Sequence, residues 1–268
     1  MKKTILTILG LAFASSLYAD VVITTGSKKG SYYKYGQNLK GITGGTVLSS
    51  KGSNQNFDRL MSGKATVALG QLDAYKLYTS KHPEAANKIE LVGLLKKECL
   101  YAVASTKSGI TKDSQIQSKG VKVATGGKGS GSEATWKYMK QLESGFSEAT
   151  GVPKGGSRAL AATAAGTYDV YLSMQTPSVD NKLVKTVLSN PGLTFVDVTD
   201  WDLNDKLPSG EAVYTHDKID VAKGLLNDTE IHTICTQAAV FVATDSDESD
   251  IESVVDAILE HKNYILGN

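Results

Sequence analysis

Charge of one sign is the first thing this sequence lacks. Its 29 lysines and arginines nearly cancel 28 acids, leaving a formal charge of +1 over 268 residues. So even a balance gives no electrostatic case for a protein that grips nucleic acid or an anionic membrane. Arginine is scarce: only Arg59 and Arg158 occur, which excludes a phosphate clamp built from several guanidinium forks. Cysteine is limited to Cys99 and Cys235, and a chain of this length buries enough core to fold without metals or staples. Long apolar runs are missing too. The stretch at 5–13 is about half of the roughly 20 residues a membrane-spanning helix needs, and nothing later approaches 18.

Catalytic signatures are equally thin. No G-x-S-x-G elbow occurs. Ser31 and Lys34 fit a serine–lysine spacing, but no partner motif of that hydrolase class accompanies them. The four histidines, His82, His216, His232 and His261, never fall at metal-ligand spacing. Asp245, Asp247 and Ser249 imitate a calcium loop, yet Asp250 stands where glycine should turn. These residues support neither an enzyme nor a cofactor.

What is present begins with an address. Lys2 and Lys3 precede the apolar run, and Leu17-Tyr18-Ala19 follow small residues. This pattern predicts a secretory signal peptide over 1–19, cleaved after Ala19, and hence a periplasmic protein. In that oxidising compartment Cys99 and Cys235 are permitted one bridge; two separate buried thiols are the alternative.

The remaining composition, 41% hydrophobic and 21% charged, is that of an ordinary folded protein. Periodicity predicts strands at 21–25, 44–49, 67–69, 89–95, 100–105, 121–125, 170–172, 193–198 and 238–243. Helices are expected at 31–40, 54–61, 72–80, 132–142, 158–165, 179–188 and 249–262, with 219–226 ambiguous. Strands alternating with helices mean an α/β fold with mostly parallel sheets. The strand, glycine-rich turn and helix near residue 25 recur near residue 125, which suggests two similar lobes. We expect 20–104 and 200–268 to form lobe I and 105–199 lobe II.

Ligands of α/β sheets bind beyond the carboxyl ends of strands, against helix starts. Three turns qualify. Gly26 and Ser27 open a loop that ends in Tyr32 and Tyr33; the alternative is an ordinary tight connection with both tyrosines in the core. Gly126-Gly127-Lys128-Gly129-Ser130-Gly131-Ser132 offers free amides, hydroxyls and a lysine at a helix start, although it matches neither a P-loop nor a dinucleotide fingerprint. Gln71 follows the 67–69 strand.

Several of these segments, in order, resemble the TAXI group of periplasmic solute receptors, which serve TRAP-type transporters. Thr24-Thr25-Gly26-Ser27-Lys28-Lys29-Gly30-Ser31-Tyr32-Tyr33 looks like the family's opening, with Lys29 in place of a glycine. Ser53-Asn54-Gln55-Asn56 with Leu60-Met61-Ser62-Gly63, Gln71-Leu72-Asp73, the 120–132 strand and loop, and Gly166-Thr167-Tyr168-Asp169-Val170 are similar to later motifs. Leu72 departs from the family's serine, and the region after Pro208 is short. The resemblance implies a two-lobe receptor of the type II periplasmic-binding class, with the ligand cleft between the lobes. It would be a monomer that captures a small organic anion such as glutamate or 2-oxoglutarate for TRAP-type permease subunits. Gly26, Ser27, Tyr32, Tyr33, Gln71, Lys128, Gly129, Ser130, Gly131, Ser132, Arg158 and Gln175 are the expected ligand-binding residues. The alternative is a receptor for an ABC importer of phosphate, phosphonate or a thiamine-like compound.

Overall fold

The computed structural model describes residues 21–224 and 229–268. The expected signal peptide and its cleavage point lie outside the described residues, as does the end of the ambiguous 219–226 stretch. Among the described residues no helix is long and apolar enough to cross a membrane.

The first half of the chain alternates as its periodicity predicts. It runs through β1 (Val22–Thr24), α1 (Ser31–Thr43), β2 (Thr46–Leu48), α2 (Ser53–Met61), β3 (Val67–Gln71) and α3 (Leu72–Lys81). Next comes β4 (Ile89–Ser105), one strand of 17 residues where the sequence suggests two. The interruption is Lys96-Lys97-Glu98. Polar residues there read as a break, but this strand passes from one half of the molecule to the other, and its middle faces solvent and a cleft rather than a core.

The second half continues with α4 (Asp113–Ile116), β5 (Lys122–Ala124), α5 (Gly131–Leu142), β6 (Thr150–Val152), α6 (Gly156–Ala164), β7 (Val170–Gln175), α7 (Lys182–Ser189) and β8 (Leu193–Val196). Then come β9 (Thr215–Ala222), β10 (Thr229–Ala243) and α8 (Glu248–Leu266). β9 resolves the ambiguous stretch as a strand: Ile219 and Val221 are buried while Lys218 and Asp220 are exposed, the period of two that a half-covered strand requires.

The strand order is β2-β1-β3-β10-β4-β7-β5-β6, with β8 also on β4 and β9 also on β10. Each wing is parallel: β2, β1 and β3 on one side, β7, β5 and β6 on the other. The two long strands make the middle antiparallel, so the sheet is mixed. β10 pairs with β3 from Ala238 to Val242 and with β9 from Thr229 to Cys235. β4 meets β7 only from Cys99 onward. Both strands therefore change wings at the same level, and the result is a two-lobe α/β fold of the periplasmic binding protein type with helices flanking a curled sheet. Cys99 and Cys235 are register partners at that level and are disulfide-bonded.

The core spans the join. Phe57, Tyr75 and Phe241 of one wing share a buried cluster with Trp136, Tyr138 and Phe146 of the other. Separate clusters lie under α1 and α8 and under α6 and α7.

Candidate functional site

Parallel strands all point their carboxyl ends the same way, and each lobe hands its loops to the same gap. A cleft of ≈ 660 Å³ lies there, lined from one lobe by Gly26, Ser27, Tyr32, Ser53 and Gln71, and from the other by Ser130, Gly131, Ser132 and Gln175. Four helices begin at its wall. α1 starts after Gly30, α2 after Gly52 and α3 after Gln71, none with a side-chain cap, and α5 starts after Ser130. Uncapped first-turn amides carry partial positive charge, and several converging starts favour an anion.

The hydroxyls add donors. Ser130 Oγ accepts from the Glu133 amide at 3.3 Å, Ser132 Oγ from the Met174 amide at 2.9 Å and Ser53 Oγ from the Gln71 amide at 3.3 Å. Each oxygen already serves as an acceptor, so each hydroxyl proton is left to donate. Lys29 and Lys51 stand at the cleft wall as exposed cations.

One acid interrupts this positive lining. Glu98, from the middle of β4, reaches the cleft wall, where its Oε2 accepts from Tyr32 Oη at 3.0 Å and from Gln71 Nε2 at 2.9 Å. Burial pushes its carboxyl up to about 7, the two hydrogen bonds oppose that, and the neighbouring Asp73 adds to it. Burial and then the Glu98 charge raise the Tyr32 phenol well above its ordinary value, so Tyr32 stays a donor at neutral pH.

The lobes touch across the cleft. A Cβ on Gly131 would lie 1.9 Å from Gln71 Oε1, and one on Gly52, whose φ is +142°, would lie 2.0 Å from the Gly129 carbonyl oxygen. Both positions need glycine because backbone and side chain from opposite lobes meet there. Behind the cleft, α3 of one lobe packs on α5 of the other. There Asp73 accepts from Thr135 Oγ1 at 2.5 Å and from Tyr214 Oη at 3.0 Å.

Of the residues expected from sequence, Gly26, Ser27, Tyr32, Gln71, Ser130, Gly131, Ser132 and Gln175 come together on the cleft wall. Tyr33, Lys128, Gly129 and Arg158 do not. Tyr33 is one helical step from Tyr32, which turns it about 100° away. Lys128 and Arg158 are exposed and do not line the cleft. Gly129 spends its amide on Glu133 Oε2 at 2.6 Å. Gln175 is on the wall, but its carbonyl takes Asn181 Nδ2 and its amide donates to Ser173 Oγ, so it braces the lobe. The other arginine, Arg59, ties Thr24 Oγ1 and the Ser49 carbonyl.

Sequence reading missed Glu98, Lys51, Ser53 and Asn181. The available signal for Glu98 was an acid between two apolar stretches with no turn residue beside it. Such an interruption marks a strand that has become accessible, not one that has ended. Among the described residues no His, Cys, Asp and Glu cluster is arranged to hold a metal.

Comparison with known proteins gives a family and a fold. Residues 23–267 match the model of the NMT1-like family, and the chain belongs to that family. No protein of curated function matches it in sequence. An amino acid ABC transporter substrate-binding protein from Streptococcus pneumoniae, bound to L-arginine, superposes with TM-score 0.52 at 14% identity, over 91% of this chain and 90% of that one. The arginine-, lysine- and histidine-binding protein of Geobacillus stearothermophilus gives 0.52 at 9%, over 91% of both chains. A histidine kinase sensor domain similar to periplasmic binding proteins gives 0.54 at 14%, over 92% of both. Identities this low establish the shared two-lobe fold.

Proposed function

We propose that the protein is an extracytoplasmic solute receptor that captures a small organic anion, an amino acid or a dicarboxylate such as glutamate or 2-oxoglutarate. It then delivers that ligand to the membrane subunits of a TRAP-type transporter. One observation carries this reading: the uncapped starts of α1, α2 and α3 in one lobe and serine protons from both lobes converge on a single cleft. A ligand held by both sides favours the shut state, and the shut state is what a membrane partner recognises. The order of the TAXI-like motifs supports the TRAP assignment, and membership in the NMT1-like family supports the solute-receptor reading.

The same reading has the chain exported by the 1–19 peptide, monomeric, periplasmic and without catalytic turnover. Its lobes are 20–104 with 200–268, and 105–199.

A thermal-shift panel on protein unfolded and refolded to strip carried-over ligand tests the assignment. It holds glutamate, glutamine, 2-oxoglutarate, succinate, phosphate, a phosphonate and thiamine. A ligand at 100 times its dissociation constant adds about 2.7 kcal/mol, a rise of roughly 5–11 °C in a chain this size. Shifts confined to the carboxylates support the reading, and silence across the panel contradicts it. A second reading, a receptor for an ABC importer, is favoured by the likeness to amino acid ABC receptors. Shifts with phosphate, phosphonate or thiamine alone, or co-purification with an ATPase-bearing permease, would establish it.

A further inference from the structure

A second cavity, of ≈ 400 Å³, lies outside the cleft in the groove between α6 and α7, against Tyr171 of β7. Its body is apolar, lined by Leu160, Ala161, Tyr171, Leu183 and Leu193. The groove stays unfilled because α6 turns Ser157, Leu160 and Ala161 towards it, one helical face on which two of the three side chains are small. Gln175 and Asn181 line both this cavity and the cleft. Their polar atoms are spent on each other, on Ser173 and on the Leu183 amide, so the pair forms a wall common to both.

The polar groups around this cavity are unspent. Tyr171 is 6% exposed, yet its hydroxyl has no protein hydrogen-bond partner and is open to the cavity. Tyr101 of the same buried cluster, by contrast, accepts from the Ser178 amide at 3.3 Å, as a phenol in apolar surroundings ordinarily finds a partner. Lys182, the first residue of α7, lines the cavity as an exposed cation and forms no ion pair, whereas Lys185 one turn on holds Asp180 at 2.8 Å. β6 and β7 both run parallel to β5, so α6 and α7 begin at the same rim. Asn181 caps α7, but α6 begins without a side-chain cap, and its first-turn amides carry partial positive charge beside the Ser157 hydroxyl. No acidic side chain lines the cavity.

We propose that this cavity is a second binding site, for a small amphipathic carboxylate whose apolar body is a short chain or a single ring. The body lies against Leu160, Leu183 and Leu193, and the carboxylate sits at the rim between Lys182 and the start of α6. Tyr171 supplies a further donor from within the groove. An apolar cavity of this size with a few placed donors is the usual form of a small-molecule site. A carboxylate meets an unpaired cation and a helix start there, while an amine would find no counter-charge. The inference goes beyond the receptor reading, because the site lies outside the cleft and stands whichever solute the cleft takes.

An amide NMR titration with octanoate at neutral pH tests this, with octanol and octylamine as the neutral and cationic counterparts. The expected result is saturable binding of one octanoate per chain with a dissociation constant of about 1 mM or tighter, and shifts centred on 156–161 and 181–186. Octanol and octylamine should bind at least about tenfold more weakly. Ala161→Trp fills the groove from an exposed helix position and should weaken octanoate by about tenfold or more. Lys182→Ala and Tyr171→Phe should each weaken it by about three- to tenfold. Gly131→Ala, in the cleft, should leave octanoate binding unchanged. No saturation by about 10 mM overturns the proposal, and so does octanol binding as tightly as octanoate. Shifts centred on the cleft, lost in Gly131→Ala and kept in Ala161→Trp, overturn it while leaving the receptor reading standing. If Ala161→Trp does not fold, unchanged affinity in both Lys182→Ala and Tyr171→Phe overturns it.

Discussion

Two carboxylates raised by desolvation meet opposite fates in this molecule. At the α3–α5 contact, Asp73 gives one oxygen to its neighbour's amide on Ala74 and the other to the Thr135 and Tyr214 hydroxyls. On the cleft wall, Glu98 concentrates two donors on one oxygen and keeps the other open. Burial raises both, to about 6 for Asp73 and about 7 for Glu98. A raised carboxyl therefore does not identify a functional group by itself. What separates the two is whether the protein has used up the acceptors.

The sharpest way to break this contrast is to remove each acid in turn. Asp73→Ala leaves the Thr135 and Tyr214 hydroxyls without their acceptor in a buried contact between lobes. It should cost about 3 kcal/mol in denaturant unfolding at pH 5. Glu98→Ala should cost under about 1 kcal/mol, because Glu98 lies on the cleft wall, where water can replace it as acceptor for the Tyr32 hydroxyl and the Gln71 amide. Equal losses would erase the distinction.

A second effect is set by pH. Asp73 has its carboxyl raised from 3.8 to about 6 in the fold, so the folded state holds its proton more tightly than the unfolded chain. That contribution to stability is fully present below pH 3.8 and is lost as pH rises through 6, up to about 3 kcal/mol. Glu98 extends the same decline towards pH 7. The acids held below their ordinary values, Asp205 and Asp217 among them, act below pH 4 and do not offset it. Unfolding midpoints measured from pH 4 to pH 8 without ligand should fall across this window, and Asp73→Asn should flatten the lower part. An unchanged slope in that variant would place the titration elsewhere.

Gly131→Ala sharpens the comparison from the cleft side. Its new methyl would occupy the place of Gln71 Oε1, which forces the lobes or the glutamine apart. Ligand affinity should drop at least tenfold, about 1.4 kcal/mol, with a smaller change in melting temperature. Unaltered binding would mean that this interlobe contact does not contribute to the bound state. The smallest effect expected is from Arg158→Ala. An exposed residue of α6 that does not line the cleft should change affinity by less than about twofold, within the ±0.5 kcal/mol typical of surface substitutions, and a larger loss in calorimetry would return it to the site.

The contrast between the acids also explains what the sequence could reveal. Elements that bury one face were legible because burial imposes a period: α1, α2, α3, α5 and the parallel strands follow from it. The glycine–serine loop and the Gly26 loop were legible because close backbone approach demands small residues. The long crossing strands were not. β4 carries Lys96, Lys97 and Glu98 across the join, and β10 runs from its pairing with β9 to its pairing with β3, so no single core sets a pattern along either. Glu98 was hidden for the same reason. Arg158 suggests a carboxylate clamp chemically, yet it is exposed on α6 and does not line the cleft, a placement decided by helix phase, which a lone arginine does not reveal.

The measurement that tests the account most directly is a calorimetric titration of the stripped protein at pH 8 with the amino acids and organic acids named above, followed by recovery of the ligand. The account predicts saturable binding of one small acid per chain, with the ligand recovered chemically unchanged. No binding across the set, or recovery of a converted product, would contradict it.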